Sequence, residues 1–282
     1  MIEVLQSGLY STIQDLGRFG YRNQGVPVGG VMDIISANMA NLLLDNQLSD
    51  AVLEISLMGP KLSFNMNTLI AITGGYRSPK INGETINNGK LIAIKKGDVL
   101  SFGNLLDGAR SYLAVKGGFK SEFKLHSRSQ FKNITKNVRL EQGEQLIIND
   151  FEINIETSRT FVKNRKQFYD TKVLKVMKGP EYDMFSEEQI SFFLNQNFTV
   201  SQDNNRMGYR LEEILAPHDY SLITSPVLPG TIQLLPSGRI VILMKDAQTT
   251  GGYPRIFQLS ELAISILAQK KVGDQLQLKL TD

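Results

Sequence analysis

The sequence predicts a mainly β protein, organised as two related β domains with a few short helices. Three observations carry this expectation. Short alternating or compact apolar runs recur along the chain, punctuated by Gly, Pro and Asn, as in a barrel or sandwich. Only three stretches place apolar residues at helical spacing. Two local patterns of the first half return in the second. Lys96-Gly97-Asp98-Val99-Leu100 is echoed by Val272-Gly273-Asp274-Gln275-Leu276, and Leu57-Met58-Gly59-Pro60 by Met177-Lys178-Gly179-Pro180. The offsets of the two echoes differ, so the halves are not a simple tandem repeat.

In chain order, Asp33 can cap a helix running through Ile35, Met39, Leu42 and Leu43. Residues 52–57 alternate at period two, and residues 69–73 form a compact apolar run. Ile81-Asn82-Gly83-Glu84 reads as a hairpin turn, because Asn-Gly tolerates positive φ. Residues 90–94, 98–102 and 110–115 continue the strand series. The polar, basic stretch 121–171 is the expected connector, although residues 140–155 keep strand-like alternation. The expected domains are therefore 1–120 and 172–282. In the second, Ser186-Glu187-Glu188-Gln189 forms a capping box ahead of Ile190, Phe193 and Leu194. Residues 240–244 read as an apolar strand, and Ser260 starts a short helix through Leu267.

Composition limits the function classes. The chain has 282 residues, of which 41% are hydrophobic, enough to bury a sizeable core. Its 31 basic and 28 acidic residues give a formal charge of +3. That is a mixed surface, and the densest basic stretch, from Lys163 to Lys172, is broken by Gln167, Phe168 and Asp170, so no nucleic-acid partner is expected. Without Cys there are no disulfides, thiolate zinc sites or Cys nucleophile, which fits a reducing compartment. Met1-Ile2-Glu3-Val4 does not begin a signal peptide, and no apolar run approaches a membrane span of roughly 20 residues. The expectation is a cytoplasmic protein with no membrane contact.

Three clusters could carry chemistry. The first runs from Gly8 to Asp33 and contains Asp15, Arg18, Gly29 and Gly30. Its glycines allow tight turns, and Gly29-Gly30 sits just before a helix start that favours an anion. The competing reading is a structural loop held by a salt bridge. The second is Asp203-Asn204-Asn205-Arg206-Met207-Gly208-Tyr209-Arg210-Leu211. Two Arg could present guanidinium forks to a carboxylate or phosphate, or could simply pair with acidic neighbours. The third joins Val227-Leu228-Pro229-Gly230-Thr231-Ile232-Gln233 to Lys245-Asp246-Ala247-Gln248-Thr249-Thr250-Gly251-Gly252-Tyr253-Pro254-Arg255. Its donor-rich loop can hold a small polar ligand or a partner's loop, or is a well-bonded turn. Gly83 to Lys90 is one residue too long for a phosphate loop, and Leu91 replaces its Ser or Thr. There is no Gly-x-Ser-x-Gly elbow and no dinucleotide fingerprint. His126 and His218 lie far apart without nearby partners, so no metal-ligand set is expected.

Taken together, the clusters resemble the signatures of the family of 5-oxoprolinase C subunits, also called allophanate hydrolase subunit 2 or KipA-type. The stretch from Gly8 to Asp33 resembles its Thr-x-Gln-Asp-x-Gly-Arg and Gly-x-Pro-x-Gly-Gly-x-Met-Asp motifs. Arg206-Met207-Gly208-Tyr209-Arg210-Leu211 resembles the central signature, and Gln248-Thr249-Thr250-Gly251-Gly252-Tyr253-Pro254 the C-terminal one. One departure is His126-Ser127-Arg128-Ser129-Gln130, where the family usually reads Gly-Ser-Arg-Ser-Thr. The resemblance implies two cyclophilin-like β-barrel domains. It implies B-type (allophanate hydrolase subunit 1, KipI-type) and A-type partner subunits, with ATP-coupled conversion of 5-oxo-L-proline to L-glutamate. It also leaves a carboxyltransferase of a biotin-dependent urea-carboxylase-like system and a non-catalytic KipA-type regulator. The chain has no biotinylation segment, so biotin is not expected.

Phosphorylating the lactam oxygen would make 5-oxoproline a better electrophile, which requires cations near the phosphoryl group. Arg206 and Arg210 are expected to bind anionic groups, and Asp15 or Asp246 to hold Mg²⁺ or steer a proton. Arg18, Gly29, Gly30, Gln233, Gln248, Thr249, Thr250 and Tyr253 are expected to contact substrate. With no phosphate loop, ATP and Mg²⁺ are expected to be shared with, or bound by, a partner subunit.

Overall fold

The computed structural model describes residues 1–151, 170–220 and 222–281. The end of the alternating stretch (152–155) and most of the basic run (163–169) lie outside the described residues. The chain packs as two compact units. The first comprises Met1–Arg18 and Gly29–Arg165, and the second Phe19–Val28 and Lys166–Asp282. Residues 121–151, expected in a connector, are therefore part of the first unit. Leu140, Leu146 and Ile148 are in its core, and Gln145–Leu146 pairs with its first strand.

In the first unit the strands are β1 (Ile2–Gln6), β2 (Tyr10–Gln14), β3 (Val52–Ser56), β4 (Lys61–Phe64) and β5 (Thr68–Tyr76). They continue with β6 (Lys80–Ile81), β7 (Glu84–Thr85), β8 (Leu91–Ile94), β9 (Val99–Ser101), β10 (Asp107–Val115) and β11 (Gln145–Leu146). They form one sheet in the order β11-β1-β4-β9-β6-β7 and another in the order β2-β3-β10-β5-β8. Between them, Ile2, Leu53, Phe64, Ile72, Leu100 and Leu113 are buried in one apolar cluster. Such side chains stabilise by about 1.5–3 kcal/mol each when fully buried. Helix α1 (Ile34–Leu43) starts where expected, with the Asp33 carboxylate accepting the Ser36 N–H at 3.0 Å. Its Ala37, Ala40 and Leu43 pack with Val52, Ala71 and Ala114 of the second sheet. With both faces covered, residues 52–55 are all buried, Glu54 included.

Glu54 does not stand alone there. It accepts the Met32 N–H at 2.7 Å and the Tyr112 hydroxyl at 2.9 Å, with Arg110 3.8 Å away. Tyr112 in turn accepts the Asp33 N–H at 2.8 Å. Burial, then the Glu54 and Asp33 carboxylates, push the Tyr112 phenol well above its usual range. It stays protonated at neutral pH and keeps donating. Sequence alternation alone did not single out this network. Buried Arg77 likewise donates to the Leu57 and Ala109 carbonyls and to Ser111. Burial lowers its pKa to about 10, so it remains cationic.

In the second unit the strands are β12 (Val173–Lys178), β13 (Phe198–Thr199), β14 (Gly208–Ile214), β15 (Ser225–Pro226) and β16 (Thr231–Leu234). The rest are β17 (Arg239–Leu243), β18 (Thr250–Gly251), β19 (Arg255–Leu259) and β20 (Gln275–Leu280). Seven run in the order β13-β20-β12-β19-β16-β17-β14. A bridge from Val200 to Leu211, with the Ser201 N–H donating to the Arg210 carbonyl at 3.0 Å, brings the two ends together into a nearly closed barrel. Closure leaves no long edge to recruit another strand. Helix α2 (Glu187–Asn195) has the expected capping box from Ser186 and Gln189, and α3 (Glu261–Ala268) is capped by Ser260. Phe193 of α2 packs edge-on against Phe185 and Phe257.

The Gly-Asp echo is a repeated turn. Gly97 and Gly273 have φ of 95° and 82°. Asp98 accepts the Lys95 N–H, and Asp274 the Lys271 N–H, each at 2.8 Å. The Asn82-Gly83 hairpin has positive φ at both residues, as expected.

In the second unit Arg255 grips Glu181 through Nε and Nη2 at 2.8 and 2.6 Å. These side-chain hydrogen bonds outweigh desolvation and hold the Glu181 carboxyl below its usual range. A folded pKa below the unfolded one means that the unfolded chain binds more protons as the pH falls. The pair's contribution is therefore complete above the ordinary glutamate pKa and is lost as the pH falls through the depressed one. Glu181→Gln is expected to lower urea stability at pH 7 and to flatten its decline between pH 5 and roughly pH 3. Parallel acid-side profiles for both proteins would contradict this.

Candidate functional site

The sequence-expected site residues fall into two groups, one in each unit. In the first, Asp15 is buried and its carboxylate is saturated. Oδ1 accepts from Gly17 N at 2.8 Å, Ser127 Oγ at 2.6 Å and Ser129 Oγ at 2.7 Å, and Oδ2 accepts from Arg128 N at 2.6 Å. Arg18 is fully buried and donates to the Ser129 carbonyl. Gly30, at φ 84°, brings its Cα against Leu16, where an added Cβ would lie 2.8 Å from the carbonyl. Gly29 is buried beside it, also at positive φ. These four residues tie the 15–18 turn to the Ser127-Arg128-Ser129 segment and to the start of α1. The Asp15 carboxylate, with four donors, is engaged in holding this loop, which differs from the expected Mg²⁺ or proton-transfer role.

In the second unit, Arg206 and Asp246 also correct the expectation. Nε and Nη2 of Arg206 donate to Oδ2 and Oδ1 of Asp246 at 2.8 and 2.9 Å. This bidentate, largely buried pair takes both carboxylate oxygens, so Asp246 is not a free metal ligand or base. The backbone repeats the link, with Asp246 N donating to Arg206 O at 2.9 Å. The pair clamps the central and C-terminal motifs together.

Beside that clamp is a pocket of about 170 Å³. Its wall is a row across three strands. Arg210 on β14 is in register with Val241 on β17, which is in register with Gln233 on β16. Directly opposed residues share a sheet face, so the three side chains line up. Asn205, Gln248 and Tyr253 complete the polar lining, and Met207 and Leu243 supply apolar surface. Arg210 spends one N–H on the Asp203 carbonyl at 3.0 Å and keeps further donors. Gln233 is buried and donates through Nε2 to the Tyr253 carbonyl at 3.3 Å, leaving Oε1 as an acceptor. Gly251 makes room for that amide, since a Cβ there would lie 2.8 Å from it. Among the described residues, the Gln248 carboxamide and Tyr253 hydroxyl take no partner, and Tyr253 is 41% exposed.

Thr249 and Thr250 serve the loop instead of the pocket. Thr249 is buried, and its carbonyl accepts from Val227 N at 3.1 Å, while Thr250 pairs with Pro226. Arg22, which sequence reading passed over, donates to the Val227 and Thr249 carbonyls. It comes from the Phe19–Val28 segment that packs in the second unit. Arg22→Ala is expected to leave two carbonyls underbonded, at about 1–3 kcal/mol. Faster hydrogen exchange at the Val227 amide would register this, and unchanged protection would count against it.

Residues 24–280 match the family model described as carboxyltransferase domain, subdomain A and B. The chain belongs to the carboxyltransferase-domain family. Within that family it is 31% identical to the 5-oxoprolinase C subunit of Escherichia coli K12, covering 97% of this chain and 89% of the relative. It is 34% identical to the Saccharomyces cerevisiae urea amidolyase, covering 98% of this chain but 16% of that protein. The fold superposes on the crystal structure of TTHA0988 with a TM-score of 0.87 at 25% identity, covering 99% of this chain and 55% of that one. The Kluyveromyces lactis urea amidolyase gives a TM-score of 0.86 at 29% identity, with 98% of this chain and 18% of that one covered. No helix of this family member, among the described residues, is long and apolar enough to cross a membrane.

Proposed function

We propose that the chain is the C subunit of a 5-oxoprolinase, working with A- and B-type partner subunits, and that the Arg210 pocket receives 5-oxo-L-proline. The observation carrying this reading is the convergence of Arg210, Gln233, Gln248 and Tyr253 on one small pocket. A guanidinium with free donors suits the substrate carboxylate. The Gln233 Oε1 acceptor suits the lactam N–H, and the Gln248 carboxamide suits the lactam oxygen. The apolar Val241 and Leu243 suit the ring methylenes.

Among the described residues, no group of side chains is arranged to hold ATP and Mg²⁺. The Asp15 and Asp246 carboxylates are both engaged, and no group of three or more His, Asp or Glu among the described residues could hold a metal ion. A pocket of about 170 Å³ is also smaller than sites that enclose drug-sized ligands. The proposal therefore assigns both to the partner subunits.

Purifying this chain with its A- and B-type partners and measuring glutamate released from 5-oxo-L-proline, with and without ATP, tests the reading. ATP-dependent glutamate that vanishes when this chain is omitted supports it. Equal turnover without this chain rejects it. The family model and the urea amidolyase relatives favour a second reading, a carboxyltransferase acting on carboxybiotin. That reading requires carboxyl transfer from a supplied biotin carrier, measured in the same preparation.

A further inference from the structure

The first unit holds a pocket of its own, of about 230 Å³. Its floor is made by Ile13, Leu146 and Gln130, all buried. Gln130 is bonded at one end only. Its Oε1 accepts the Ile13 N–H at 3.0 Å, and its carbonyl accepts from Gln14 Nε2 at 3.2 Å. Among the described residues its own Nε2 has no acceptor, and the side chain belongs to the cavity lining. A buried side chain in the cavity lining thus keeps an unused N–H donor.

Three cations line the same cavity: Lys120, Arg128 and Lys136. Lys120 bonds the Gly117 carbonyl and Arg128 the Ser121 carbonyl, but an ammonium has three donors and a guanidinium five. Arg128 lies over the Phe123 ring at 5.2 Å, which fixes its plane. Two carboxylates also line the pocket, and both are engaged. Glu122 accepts the Lys136 N–H at 2.8 Å and pairs with Lys124 at 3.5 Å. Glu144 accepts from Asn137 Nδ2 at 2.7 Å and Glu141 N at 3.2 Å.

We propose that this pocket is a second ligand site, for a small organic carboxylate with an apolar body. The cations outnumber the acids and hold unused donors, which favours an anion. The two nearby carboxylates favour a single negative charge over a dianion such as phosphate. Ile13, Leu146 and the exposed Ile147 favour an apolar body. Nothing in this assignment depends on the reaction proposed for the Arg210 pocket.

Benzoate titrated into the ¹⁵N-labelled full chain tests it, with the Gln130 side-chain amide as reporter. We expect a saturating shift with a Kd on the order of 1 mM, and a much smaller response to inorganic phosphate. Lys136→Glu alters an exposed side chain and is expected to weaken benzoate at least about tenfold, or ~1.4 kcal/mol, with the folded spectrum retained. Gln130→Glu keeps the acceptor for Ile13 and removes the donor, and is expected to abolish the binding as read from the backbone amide of Ile147, which also lines the pocket. A silent Gln130 resonance, an equal response to phosphate, or wild-type affinity in folded Lys136→Glu would each overturn the proposal.

Discussion

Asp15→Asn is expected to destabilise the first unit by about 3–5 kcal/mol, with Asp15→Ala costing at least as much. Three of the four donors converge on Oδ1, and an asparagine oxygen could still accept them, without the charge that strengthens such bonds. The fourth contact cannot survive. Arg128 N–H points at Oδ2 from 2.6 Å, so the asparagine NH₂ would oppose donor to donor. Rotating the amide only moves the conflict to the other three. Urea unfolding of the two variants, followed by a probe in the first unit, measures the effect. A loss below about 1 kcal/mol for Asp15→Asn would mean that the turn relaxes around the change and that the carboxylate is free to act elsewhere.

The second large effect concerns the Arg210 pocket. In the assembled complex, Arg210→Ala is expected to lower kcat/KM for 5-oxo-L-proline by about 10²–10³-fold, equivalent to ~3–4 kcal/mol. Arg210→Lys should recover only part of this, because an ammonium cannot match a carboxylate with two parallel donors. Folding should change little, since the wild-type guanidinium holds the protein through its bond to the exposed Asp203 carbonyl. Arg206→Ala should behave differently. It strands the Asp246 carboxylate and should weaken folding first. Full activity in Arg210→Ala would remove the substrate from this pocket.

Much of the fold was legible because its signals are local. Asp33, Ser186 and Ser260 each cap the helix expected of them, and Asn82-Gly83 makes its hairpin. The connector was misjudged because residues 121–151 are anchored by contacts distant in sequence. Leu140 and Leu146 reach the core, while Ser127 and Ser129 reach back to Asp15. Composition sees the polar majority and misses those anchors. The site was legible as residue types and not as pairings. Arg210, Gln233, Gln248 and Tyr253 do share a pocket. Yet Arg206 and Asp246, forty residues apart, neutralise each other, and nothing in their spacing reveals it. Glu54 was hidden for a related reason, since only the helix packed over its strand makes that position buried.

The Phe19–Val28 segment belongs to the second unit although the residues on either side of it belong to the first. It leaves the ribosome long before its docking site does. At about 5–20 residues per second, synthesis of the remaining chain takes roughly ten to fifty seconds. During that interval Arg22 has neither the Val227 nor the Thr249 carbonyl to bind. No single cut in the chain separates the two units cleanly, and a fragment starting after residue 165 would lack the segment altogether. Supplying residues 19–28 as a peptide to such a fragment would be a complementation assay between one protein's own parts.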